Sequence, residues 1–133
     1  MTEEFADSFY YFALLNPTDA AHELAVSCAT SLVAPLVTTA WVLTELADGM
    51  ANKSDRAECI AFIDELRRSP KVIIVPSTPE LFERGLGLYR NRPDKDWSLT
   101  DCISFVVMQR EGISEALTAD HHFEQAGFAA LLK

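Results

Sequence analysis

"KVIIVP", Lys71–Pro76, sets four β-branched apolar residues in a row between a cation and a proline. Such residues are stiff at χ1 and suit a pleated backbone. Apolarity that is continuous, with no alternation, predicts a strand covered on both faces, the setting of a parallel sheet. Helical signals flank it. Upstream, Cys59, Phe62, Ile63 and Leu66 recur at helical spacing after a Ser54 cap and before a stop at Pro70. Downstream, Thr78 and Pro79 form an N-cap and first-turn pair for a helix reaching about Tyr89. A strand held between helices is the unit of an α/β fold.

The same alternation extends outward. Phe5 and Ala6 form a short opening strand that ends at Asp7, "SFYYFALLN" is a brief helix, and "NPTD" punctuates it. Thr18 is placed to cap a helix from Asp19 to about Thr30, with Ala21, Leu24, Ala25 and Cys28 on one face. "SLVAPLVTT" supplies a second strand despite Pro35, and Thr38 or Thr39 caps the helix of "AWVLTELADGMAN". "SLTDCISFVVMQ", Ser98–Gln109, is apolar around nearly its whole axis, so only its tip can meet a cleft; Gly112 stops it. "EALTA" is a strand ending at Asp120, "HHFEQAG" one or two helical turns, and "FAALLK" a last strand. The expectation is one domain over residues 1–133, an α/β sandwich with a mainly parallel central sheet.

Composition narrows the function. The 133 residues are 49% apolar and 23% charged, enough for a sizeable core. Twenty acidic against eleven basic residues give a net charge of -9, which argues against binding nucleic acid through a broad basic face. It leaves open a nuclease whose surplus acids hold cations. Cys28, Cys59 and Cys102 are odd in number and lack a C-x-x-C, so packed thiols are expected. There is no run of about 18 apolar residues and no signal-like start, which predicts a cytoplasmic protein without membrane segments.

Four carboxylates stand apart. Asp7 and Asp120 each follow a strand, and ligands of open parallel sheets gather at the strands' carboxyl ends. Asp101 lies in the first turn of the buried helix, where exposed N–H groups favour an anion by roughly 0.3–1 kcal/mol. Glu45 shares a helix with Trp41, Asp48 and Asn52, opposite Val42, Leu46 and Met50. Singly, each also fits a cap, a turn acid or a solvated helix residue. Brought into one cleft, like charges at about 4 Å repel by about 1 kcal/mol in water and about 4 at a dielectric near 20. A proton or a cation must compensate. Oxygen ligands favour Mg²⁺ or Mn²⁺, which activate water and steady charge on a phosphate, pointing to phosphodiester hydrolysis.

In order and spacing these residues resemble the PIN domain, in particular the VapC-like ribonuclease toxins. The resemblance rests on Asp7-Ser8, on Glu45 in "VTTAWVLTELAD", on the S-x-x-D of Ser98–Asp101, and on the T-x-D-x-x-F of Thr118–Phe123. It implies a three-layer α/β/α fold and RNA cleavage dependent on Mg²⁺ or Mn²⁺. It also implies a homodimer and a small antitoxin seated in the active-site groove. Carried over, Asp7, Glu45, Asp101 and Asp120 would be the catalytic, metal-holding acids. Ser8, Thr100 and Thr118 would orient them by hydroxyl contacts, and Asp96 would join the acidic rim. One departure is visible: the opening strand offers only Phe5 and Ala6, and a run that short is expected to leave Asp7 on a frayed edge.

Arg90, Arg92 and Lys95, just ahead of the Asp101 helix, are candidate phosphate contacts; Arg67, Arg68 and Lys71 form a second basic group. The bland alternative for both is a solvated loop or helix end. His121-His122 is not expected to be a metal pair, Gly85-Leu86-Gly87 lies too late in a helix for a phosphate loop, and Phe9 to Phe12 are assigned to packing or a dimer surface. Two other functions compete: a PIN-like protein-binding module whose acids hold no metal, and a phosphoacceptor signalling domain. The latter needs paired early acids and a late lysine, which "EEFAD" and "TADHH" do not supply.

Overall fold

The computed structural model describes residues 3–133, so Met1 and Thr2 lie outside the described residues. Five strands, β1 (Glu4–Ala6), β2 (Leu36–Thr39), β3 (Val72–Val75), β4 (Glu115–Leu117) and β5 (Ala129–Ala130), pair in parallel in the order β3-β2-β1-β4-β5. The helices between them are α1 (Ser8–Leu15), α2 (His22–Ser31), α3 (Ala40–Gly49), α4 (Arg56–Arg68), α5 (Pro79–Asn91), α6 (Leu99–Glu111) and α7 (His121–Gln125). From β1 to β3 the chain steps toward one edge, then crosses back over β1 to lay down β4 and β5. Right-handed crossovers place the helices of the two halves on opposite faces, giving three layers. Tyr11 of α1 meets Phe62 of α4 at 5.4 Å on one side, and Phe105 of α6 meets Phe123 of α7 at 4.9 Å on the other. Phe5 reaches Phe123 at 6.3 Å from within the sheet.

The reversal of strand order falls between β1 and β4, and a crevice at the carboxyl ends of those strands is where such sheets place ligands. Asp7 leaves β1 there, and Thr118 and Asp120 leave β4. The expectation of a frayed opening is corrected. Although three residues long, β1 lies at the centre of the sheet, Phe5 and Ala6 are fully buried, and the Thr38 hydroxyl donates to the Ala6 carbonyl at 2.8 Å. Neighbours on both sides supply the order that length does not.

The sequence expectation for "KVIIVP" is corrected in the other direction. It is a parallel strand, but an edge strand, and Ile73 is 46% exposed. Continuous apolarity marks the strand without saying how many neighbours it has. Pro35 sits just before β2, where it removes no ladder bond.

Side-chain caps begin α3, α5, α6 and α7. Thr39 accepts from Val42 N, Thr78 from Leu81 N, and Gly112 ends α6 in the left-handed region at φ 70°. Two expected caps shift. Thr18 engages Asn16 and the helix begins at His22, while Ser54 donates to Asn52 and Asp55 takes the N-cap position of α4. In both places an Asn side chain has claimed the hydroxyl for a local turn. On α2 only Ala25 is fully buried and Leu24 is 40% exposed, so that helix packs through a narrower stripe than its periodicity implies.

Gly85 lies inside α5, not in a loop. A β-carbon there would stand 2.3 Å from Ile103 Cγ1, so the glycine is what lets α5 approach α6.

Candidate active site

Asp7, Ser8, Glu45, Asp96, Ser98, Asp101, Asp120 and His122, with the rings of Phe9 and Phe12, line one cleft of about 400 Å³. All four predicted acids therefore meet, contributed by the end of β1, the middle of α3, the first turn of α6 and the start of α7. Asp7 and Asp101 are buried, at 5% and 8% exposure, while Glu45 and Asp120 are half-buried.

Hydroxyls and one imidazole hold them. Thr118 donates to Asp7 Oδ2 at 2.9 Å, and its oxygen accepts from the Asp120 backbone N–H at 3.1 Å, so one side chain registers two of the acids. Ser8 donates to Glu45 Oε1, joining α1 to α3. Ser98 and Asp101 form a capping box: Ser98 Oγ accepts from Asp101 N at 3.0 Å, and Asp101 Oδ2 accepts from Ser98 N at 3.2 Å. The box explains why a carboxylate can head so apolar a helix, and it locks the Asp101 rotamer. Asp120 caps α7 by accepting from His122 N at 2.9 Å. His122 Nδ1 then lies 3.1 Å from Asp101 Oδ2 and 3.4 Å from Asp120 Oδ1, bridging two acids from different elements.

Burial and mutual repulsion set the electrostatics. Asp7 is pushed up to about 7, chiefly by burial, with Asp101 and Glu45 adding to the rise and the Thr118 bond offsetting part of it. Glu45 is raised by burial and by Asp101, Asp120 and Asp48, against the Ser8 bond. Asp101 is raised by burial, less the help of the Ser98 N–H and His122. A cleft in which three carboxyls resist ionisation is one that a cation would relax, and its oxygen-rich donors suit a hard divalent ion. Asp120, His121 and His122 also bring donor atoms within 4.8 Å of one another at the same mouth.

Several sequence expectations are refined here. Thr100 does not line the cleft, and the hydroxyl that meets Asp101 is that of Ser98, because the capping box reaches from N-cap to N3. Asp96 does reach the rim. Arg90, Arg92 and Lys95 line a separate, adjoining cavity of about 770 Å³. There Arg92 is bound to Asp94 through two 3.0 Å bonds and lies 5.1 Å from the Trp97 ring centre, so it forms a wall and is not a free cation. Arg67 lines a different cavity beside β3. His122 was set aside in the sequence. The signal available was its place two residues after the Asp120 cap, in the first turn of a helix that starts at the cleft. Phe9 to Phe12 are expected to serve packing or a dimer surface; Tyr10 and Tyr11 are buried in the core, and Phe9 and Phe12 pack against it while also lining the acid cleft.

Comparison with known proteins agrees with the geometry. The chain is 28% identical over 124 residues to the 23S rRNA-specific endonuclease VapC20 of Mycobacterium tuberculosis, in strains CDC 1551 / Oshkosh and H37Rv alike, covering 93% of this chain and 94% of that protein. The crystal structure of that toxin, described as cleaving the sarcin-ricin loop, superposes with a TM-score of 0.86 over 94% of this chain and 95% of the other. FitAcB from Neisseria gonorrhoeae shares the fold at a TM-score of 0.65 and 18% identity, over 95% and 94% of the two chains. The family model of the PIN domain matches residues 9–129, and the chain belongs to the PIN domain family.

Proposed function

We propose that the chain is a divalent-metal-dependent endoribonuclease and the toxin of a toxin–antitoxin pair. The observation that carries this reading is the meeting of Asp7, Glu45, Asp101 and Asp120, from four separate segments, in one cleft. The likeness to VapC20 over most of the chain supports it.

Asp7, Glu45, Asp101 and Asp120 would hold Mg²⁺ or Mn²⁺, and the ion supplies an activated water and charge stabilisation at the phosphate. The chain's own part is orientation. Thr118 keeps Asp7 and Asp120 in register, Ser8 aims Glu45, and the Ser98 box holds Asp101 at the helix tip. The rings of Phe9 and Phe12 form the apolar part of the cleft wall. In the net reaction water adds across a P–O bond of the RNA backbone, leaving one phosphate end and one hydroxyl end.

Ribosomal RNA, on which VapC20 acts, is the first substrate to assay. A small antitoxin would occupy the cleft when the enzyme is silent, the chain would work as a homodimer, and both would be cytoplasmic. No helix among the described residues is long and apolar enough to cross a membrane. Purified protein should cut RNA with Mg²⁺ or Mn²⁺ and stop on chelation. Asp7→Asn and Asp101→Asn should each abolish cutting with an unchanged circular dichroism spectrum. Cleavage that survives both substitutions defeats the reading.

A further inference from the structure

The adjoining cavity shares with the acid cleft Ser98, which holds Asp101, but its aromatic and basic side chains form no bond to the four acids. It is lined by Leu86, Tyr89 and Arg90 of α5, by Arg92, Pro93, Lys95 and Trp97 of the following loop, and by Asp96 and Ser98, which also line the acid cleft. The two spaces thus meet along one wall. At about 770 Å³ it falls in the range of small-ligand pockets.

Its surfaces are of three kinds. Tyr89 is 50% exposed, a flat ring with a face free for contact. Trp97 is buried and fixed by its indole N–H, which donates to Gln125 at 2.9 Å, while Arg92 lies over it, itself held by Asp94. Arg90 and Lys95 form no ion pair among the described residues. Within a chain of net charge -9, Arg90, Arg92 and Lys95 against the one lining acid, Asp96, with Asp94 engaged by Arg92, leave this wall locally positive beside an exposed tyrosine. The partner that fits all three is a single-stranded nucleotide, which offers a π-face to stack and a phosphate to neutralise.

Resting on the nuclease reading above, we propose that this cavity holds one unpaired nucleotide of the RNA strand next to the scissile phosphate. Its base lies against Tyr89 and the Arg92–Trp97 wall, and its phosphate is met by Arg90 and Lys95. The cavity supplies the grip that the acid cleft, repelling RNA by charge, lacks.

The test measures binding of a labelled single-stranded RNA oligonucleotide by fluorescence anisotropy, in the Asp101→Asn background with Mg²⁺ present. Tyr89→Ala should raise Kd about ten-fold and Tyr89→Phe should restore it, since stacking needs only the ring. The pair Arg90→Ala and Lys95→Ala should lower the slope of log Kd against log salt by roughly 0.7 per cation. Arg67→Ala with Arg68→Ala, on the β3 side, should change neither. RNA binding that is unaltered by all the cavity variants overturns the proposal and leaves the nuclease reading standing. So does loss of a co-expressed protein partner from those variants while RNA affinity holds, which would assign the cavity to a polypeptide. If RNA fails to bind at low salt with every variant and with the parent, both this proposal and the nuclease reading fall.

Discussion

Thr118 donates to Asp7 across 111 positions of sequence, at 2.9 Å, and so joins the carboxyl ends of β4 and β1 at the point where the strand order reverses. The same oxygen accepts from the Asp120 N–H. Thr118→Val keeps the shape but removes both bonds. Because supporting groups around metal ligands typically contribute 10–100-fold, divalent affinity and cleavage should each fall by about that factor. Thr118→Ser should retain most of both. Calorimetric titration with Mn²⁺ beside an RNA cleavage assay checks this; a fully active Thr118→Val would show that Asp7 is positioned by something else.

The acid cleft makes the metal-free protein sensitive to pH. Asp7 in the fold titrates at about 7, against an ordinary value of 3.8. With the folded value raised, the protonated form is the one folding favours. The stabilising effect is complete below about pH 4 and is lost as pH rises through 7; a change of this size corresponds to roughly 4 kcal/mol. In chelator, melting temperature should therefore decline across that window on account of this group. Asp7→Asn should flatten the decline and raise the melting temperature at pH 7.5, and Mg²⁺ should recover stability in the parent only. A pH profile identical in parent and Asp7→Asn would refute the assignment.

Ser98 serves both the helix and the site. Ser98→Ala removes the side-chain half of the capping box and should cost about 1 kcal/mol, a few degrees in melting temperature. Because the variant keeps the Ser98 backbone N–H that bonds Asp101 Oδ2 and loosens only the helix turn that carries it, cleavage should fall modestly, in step with the stability loss. Ser98→Thr should restore both. Thermal melts paired with cleavage rates compare the two effects.

Gly85 gives a prediction independent of the chemistry. An alanine β-carbon at that position would sit 2.3 Å from Ile103 Cγ1, far inside contact distance, in the interface of α5 with the buried α6. Gly85→Ala should destabilise the fold by about 1–3 kcal/mol, more than offsetting the gain in helix propensity. Valine at 103 would keep the clashing Cγ1, so the relieving partner is Ile103→Ala: the cost of Gly85→Ala should be smaller in that background than alone. Urea unfolding of the single and double variants measures it.

Local chemistry was legible from the residues themselves. The strand at Lys71–Pro76, the Thr78-Pro79 helix start, the Gly112 stop and the placement of Asp7 and Asp120 after strands all follow from short-range rules, because caps, turns and periodicity depend on a few neighbours. Asp7, Asp101 and Asp120 were visible for the same reason, since each occupies a strand end or helix tip that a parallel sheet directs to one edge; Glu45, in the middle of α3, was singled out by its place in "VTTAWVLTELAD". Long-range pairing was not legible. That β3 is an outer strand and the three-residue β1 a central one depends on which strands lie beside them, and no local run of residues encodes its neighbours. The contact of His122 with Asp101, the choice of Ser98 over Thr100, and the capture of Arg92 by Asp94 and Trp97 likewise depend on side-chain directions set only once α6, α7 and the loop before them are packed. The acids were chosen by sequence, whereas their spacing, their raised proton affinity and the cavity beside them were decided by the tertiary fold, since burial and charge repulsion act through space and not along the chain.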